Sequence, residues 1–305
     1  MKKFDMKKLI YIIGVLLVAA VSCQRESVTR VRVQIPEELR TKSVSMGQNV
    51  DIVHYEVWSA DFNTLLLSDS QPISGGVLEM EIDLVQDLSY NLIFWAQHQD
   101  ANSPYSWSTL KKINVDYSKL SENNKDCYDA FYDVEEILAD GTDKTVILTR
   151  PFAQLNFGTT TMTASFGDFT IDSNQVTVSK YAKAFDTVNN KAVDYVETPM
   201  TIKASLGGLV QEERADKMDL KVGDTYYYWV AMNYLLVPAD DNATVDVVVT
   251  FNTNIGPVSH SLPNVPLKKN YRTNIVGDLF INSSSLQVVV SPNFNTPDEN
   301  KYLNN

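Results

Sequence analysis

Cysteine is almost missing from this chain of 305 residues, which has two, at positions 23 and 127. A disulfide framework within the body of the protein is thereby excluded, and so is a cysteine-based zinc cluster. Basic charge is also short: 26 Lys and Arg stand against 38 Asp and Glu, a formal charge of −12. Nucleic acid is not expected as a partner, because binding the phosphate backbone needs a basic face. Histidine occurs three times, at His54, His98 and His260, with no HExxH spacing; a glycine-rich phosphate loop and a GxSxG elbow are absent as well. Catalytic residues, a metal site and a cofactor are therefore not expected, and the protein reads as a non-enzyme. No apolar run is long enough to cross a membrane as a permanent helix, which takes about 20 residues.

The longest apolar run, Leu9 to Val21, instead follows a basic start of Lys2, Lys3, Lys7 and Lys8 and ends in Ala20-Val21-Ser22 directly before Cys23. That order is the pattern of a bacterial lipoprotein signal, so residues 1–22 are expected to be removed and Cys23 to become an acylated N-terminus. The mature chain would then be held on a membrane by its lipid anchor. An ordinary signal peptide with a chance cysteine is the plainer alternative.

What remains is rich in short strands. Val31, Val33 and Ile35 alternate with Arg30, Arg32 and Gln34 before Pro36, the period of a half-buried strand. Residues 36–48 form a polar loop containing Arg40 and Lys42. Further strands are expected over 52–58, 65–67, 77–84, 90–96 and 145–149, separated by turn compositions such as Gly75-Gly76. Arg150-Pro151 breaks the pattern, and a proline cannot donate within a central strand; a boundary between two domains, 23–149 and 150–305, is expected there. Beyond it strands are expected over 152–157, 175–181, 198–204, 226–233, 244–252, 258–262, 271–279 and 286–290. Regular short strands without helical periodicity predict an all-β chain of antiparallel sandwiches.

Polar candidates are few. Tyr105 and Trp107 lie in a polar loop and could stack on a sugar ring, or simply cover the end of a sandwich. Glu79, Glu81 and Asp83 alternate with Leu78, Met80 and Ile82; a carboxylate pair is one reading and a solvated sheet face the plainer one. Asp240-Asp241-Asn242 lacks the spacing of a calcium loop.

Four segments, Tyr90 to Gln97, Asp129 to Tyr132, Arg150 to Phe157 and Asn270 to Val276, together with the lipobox at Cys23, make the chain resemble the fimbrillin superfamily of type V pili, almost over its whole length. The resemblance implies two tandem transthyretin-like sandwiches and transport to the outer membrane as a surface-exposed lipoprotein. It also implies, for true pilins, polymerisation by strand addition after an Arg-specific protease removes the first strand. Arg40 stands where that cut would fall, with Arg32 and Arg30 as weaker positions inside the strand. Other fimbrillin subunits are the partners implied for a structural or adhesive subunit of a fimbrium. A surface glycan or a host protein is the partner of the alternative, an unassembled surface lipoprotein.

Overall fold

The computed structural model describes residues 26–36, 50–100, 102–120, 128–160, 170–210, 220–238, 242–280, 286–291 and 299–301, with backbone only at 26, 205–210 and 299–301. Apart from one 3₁₀ turn, Tyr117–Lys119, regular structure among the described residues is strand throughout. The all-β expectation is met.

The first sandwich begins with a three-stranded sheet. In it β1 (Glu26–Gln34) lies between β4 (Val77–Val85), to which it is antiparallel, and β9 (Lys144–Ile147), to which it is parallel. Alternation puts Val31, Val33 and Ile35 on the inward side with Leu78, Met80, Ile82, Leu84 and Val146. Facing them is a second sheet in the order β3 (Leu65–Pro72), β2 (Ile52–Ser59), β5 (Ser89–Gln97), β8 (Ala130–Leu138). Its Val53, Tyr55, Val57, Leu92, Phe94 and Phe131 close that core. Gly75 and Gly76 turn the chain into β4 with φ of 58° and 71°, a region where a side chain is costly.

Strand β5 is buried on both faces, because Ile93 and Trp95 on its other side join a second core. There they meet a small sheet in the order β13 (Lys191–Val196), β12 (Tyr181–Asp186), β7 (Lys112–Val115), β6 (Tyr105–Ser106). Phe185 of β12 packs edge-on to Tyr132 of β8 at 4.6 Å. Two of these strands precede Arg150 and two follow it, so the chain on either side of that residue shares one sheet. The β12–β13 hairpin was not expected from sequence. Its alternation is short, and its pairing partner is β7, far away along the chain.

The remaining strands form another pair of stacked sheets. One has the order β15 (Leu220–Val222), β16 (Thr225–Leu236), β10 (Phe152–Thr159), β19 (Arg272–Gly277), β20 (Gln287–Ser291), β21 (Glu299–Lys301); the other runs β14 (Met200–Val210), β11 (Thr170–Val178), β17 (Asn242–Thr253), β18 (Gly256–Lys268). Phe157 and Phe251 meet between them at 6.5 Å. A bulge beside Phe157 and Gly158 skips Val230 in the pairing, and the side-chain amide of Asn174 in the facing sheet donates to its carbonyl at 2.9 Å. Gly158 is required where it stands, since a Cβ there would come within 2.7 Å of Leu220 and 2.9 Å of Tyr227. At the outer edge, β18 carries Pro257, Pro263 and Pro266, residues that lack a donor and protect an edge from pairing with other chains.

Candidate assembly strand and surface aromatics

Towards the core, Thr29, Val31 and Val33 of β1 and Ile35 directly after it are at most 1% exposed, while Ser27 at the start of the strand is partly buried. The outward row is a ladder of ions across to β4. Arg30 Nε donates to Glu81 Oε1 at 3.0 Å and Arg32 Nη1 to Glu79 Oε1 at 2.7 Å, so the expected alternation of core-facing and water-facing residues holds. The bond to Glu81 and the charges of Glu81 and Asp143 raise the Arg30 pKa further. Exposed pairs of this kind stabilise little, but they restrict register. A slip of one residue would turn both guanidinium groups into the apolar core. An open groove of about 510 Å³ runs along this face, lined by the two arginines, Glu79, Glu81, Asp143 and Lys144. Lys144 itself is drawn to Asp140 at 3.7 Å. Glu79 and Glu81, read from sequence as a solvated face or a carboxylate pair, are thus exposed partners of arginine.

Of the residues singled out from sequence, Cys23 and Arg40 lie outside the described residues, as do Cys127, Asp240 and Asp241. Arg30 and Arg32 lie in the hydrogen-bonded ladder between β4 and β9. Backbone held in that way does not fit an extended protease cleft.

Tyr105 and Trp107 do not form a common platform. Tyr105 is buried; its hydroxyl donates to the backbone carbonyl of Tyr128, and its ring lies between Trp95 at 5.3 Å and Phe152 at 5.6 Å. Trp107 is half-buried and meets the His54 ring edge-on at 4.9 Å. Burial lowers the His54 pKa from its ordinary 6.5, so the imidazole beside Trp107 is held neutral. The pair presents an aromatic edge and a neutral hydrogen-bonding ring, groups that suit an uncharged polar ligand. No group of three His, Cys, Asp or Glu side chains converges as a metal site among the described residues.

One arrangement was missed by sequence reasoning. Arg150 Nε and Nη2 bind both carboxylate oxygens of Asp129 at 2.6 and 2.5 Å, with both side chains completely buried, and the guanidinium lies 4.7 Å from the centre of the Phe131 ring. Bidentate geometry and a flat aromatic neighbour are what allow a guanidinium to be taken out of water. Nothing local in the sequence distinguishes this arginine from an exposed one. Its only signal is that it opens one of the framework segments, as Asp129 opens another.

No curated protein matches this chain. Among solved structures, a proposed polysaccharide-binding protein (DUF1812) from Bacteroides thetaiotaomicron aligns at 17% identity over 87% of this chain and 96% of that chain, with a TM-score of 0.51. A proposed cell adhesion protein from Bacteroides ovatus aligns at 9% identity over 93% and 100%, with a TM-score of 0.50. A fimbrial assembly protein from Parabacteroides distasonis aligns at 13% identity over 87% and 95%, with a TM-score of 0.47. The first two likenesses show a shared all-β fold extending over most of each chain. Residues 23–304 match the family described as Family of unknown function (DUF6562), and the chain belongs to that family.

Proposed function

We propose that this protein is a non-catalytic structural or adhesive subunit of a surface fimbrium, held on the outer membrane through an acylated Cys23 and assembled by strand addition after cleavage at Arg40. In this reading the chain has two units that meet near Arg150, and its partners are other fimbrial subunits. The observation that carries the proposal is the seating of β1. A first strand bonded on both edges, with four enclosed inward side chains, would leave on removal an apolar groove and two rows of unpaired backbone groups on β4 and β9. Such a gap recruits an extended strand from another chain. The start of the family match at Cys23 and the fold shared with a proposed cell adhesion protein support the surface location.

The test is digestion of the folded mature protein with an Arg-specific protease. A cut at Arg40 followed by concentration-dependent oligomers, which Arg40→Ala does not form, is the expected result. Cleaved protein that stays monomeric at high concentration would overturn the assembly step.

A second reading rests on Trp107. Half-exposed beside a neutral His54, it is a place for a sugar ring, and the solved structure described as polysaccharide-binding shares the fold. In this reading the loop of residues 97–107 binds a surface glycan, and Tyr105 stiffens it from beneath. Saturable polysaccharide binding that is lost in Trp107→Ala would favour it.

A further inference from the structure

We propose that the slot occupied by β1 selects its occupant by charge. It admits a strand with apolar residues inward and basic residues at two alternate outward positions, and the partner that supplies it is a different polypeptide rather than the C-terminal strand of a second copy. This inference rests on the strand-addition reading and adds to it the chemistry of the partner.

Three carboxylates border the slot on its solvent side, with Lys144, itself drawn to Asp140, beside them. Glu79 and Glu81 project from β4 in the same row as Asp83, and Asp143 lies just ahead of β9. With β1 in place Arg32 and Arg30 neutralise the first two, and Asp143 acts on Arg30 from the other side. A replacement strand with neutral outward residues leaves the acidic row uncompensated. One with acidic outward residues sets like charges directly across a strand pair, which is destabilising. The inward row fixes the register in which this comparison is made, because Thr29, Val31, Val33 and Ile35 must all enter the core.

Strand β20 and the residues that follow it do not meet this requirement. Strand β20 reads Gln287-Val288-Val289-Val290-Ser291, with no charge to offer. It already lies between β19 and β21, so its edges are taken. The nearest charges after it, Asp298 and Glu299, are acidic. The order basic-apolar-basic-apolar occurs once in the whole sequence, at Arg30-Val31-Arg32-Val33. Within residues 1–305, the only segment of a second copy that meets the requirement is therefore its own β1.

The experiment uses mature protein cut after Arg40 and three fluorescent peptides: residues 27–36, the same peptide carrying R30E and R32E, and residues 286–295. Entry of the first, with the charge-reversed peptide roughly tenfold weaker and the C-terminal peptide not binding, is the expected result. Protein carrying E79K and E81K, both changes being at exposed positions, should reverse the preference between the first two peptides; before the cut it should melt somewhat below the wild type, because like charges then face Arg30 and Arg32. Failure of the wild-type peptide to enter overturns strand addition and this inference with it. Equal entry of the first two peptides, entry of the C-terminal peptide as readily as the first, or no reversal in the variant leaves strand addition standing and overturns charge selection.

Discussion

Strands β1 and β10 are bonded in the same way and live in different surroundings. Each lies inside its sheet with an antiparallel neighbour on one edge and a parallel one on the other: β4 and β9 for β1, β16 and β19 for β10. In β1 the outward row meets water and is ionic. In β10 all eight residues are buried, and the polar ones bond to one another inside the protein. Asn156 donates to Gln154 Oε1 at 3.1 Å and to Asn274 Oδ1 at 2.9 Å, and Gln154 donates to the Tyr234 hydroxyl at 3.0 Å. Backbone pairing alone therefore does not decide whether a strand is replaceable. In the proposed strand addition, what decides it is whether the second face is solvated, because a strand with one wet face leaves only one apolar row and its ladder to be reconstituted by a newcomer. Removing β10 would strand amides that no water reaches.

The largest expected effect lies at the buried ion pair between Asp129, just ahead of β8, and Arg150, just ahead of β10. Asp129→Ala leaves the Arg150 guanidinium buried without its carboxylate and should cost about 3–5 kcal/mol, seen in urea denaturation as a large fall in midpoint or as failure to fold. A loss under about 1 kcal/mol would show that water reaches this pair and that the region around β10 is less closed than described.

On the inward row of β1, Ile35→Ala opens a cavity beside the first core and should cost about 2–5 kcal/mol. If β1 separates before the rest of the protein, hydrogen exchange should rise in β1, β4 and β9 ahead of β10 and β16. Simultaneous loss of protection in both regions would erase the contrast.

The smallest effect belongs to the outward row. Arg32→Ala should change stability by no more than about 1 kcal/mol, and by less as salt is added. A loss several times larger and insensitive to salt would place Arg32 in the core's energetics rather than on a solvated face.

By itself the sequence determined the elements whose reasons are local. Alternation over Val31, Val33 and Ile35, and over Leu78, Met80 and Ile82, told inward from outward correctly, because water on one face imposes a period of two. Arg150-Pro151 marked the stop between β9 and β10, since proline cannot continue a ladder. The tertiary structure alone decided the rest. Whether Arg150 faces water or pairs with Asp129, and whether Tyr105 lies open or between Trp95 and Phe152, depends on groups brought close by folding. Strands β12 and β13 join β6 and β7 across Arg150 by a pairing that leaves no local mark, because backbone donors and acceptors are the same at every residue. Where both faces of a strand are covered, the period of two no longer tells inward from outward: β5 does not show it, and β10 alternates Ala153, Leu155 and Phe157 with Gln154 and Asn156 although all of them are buried, so the partner sheets alone determine which side chains meet.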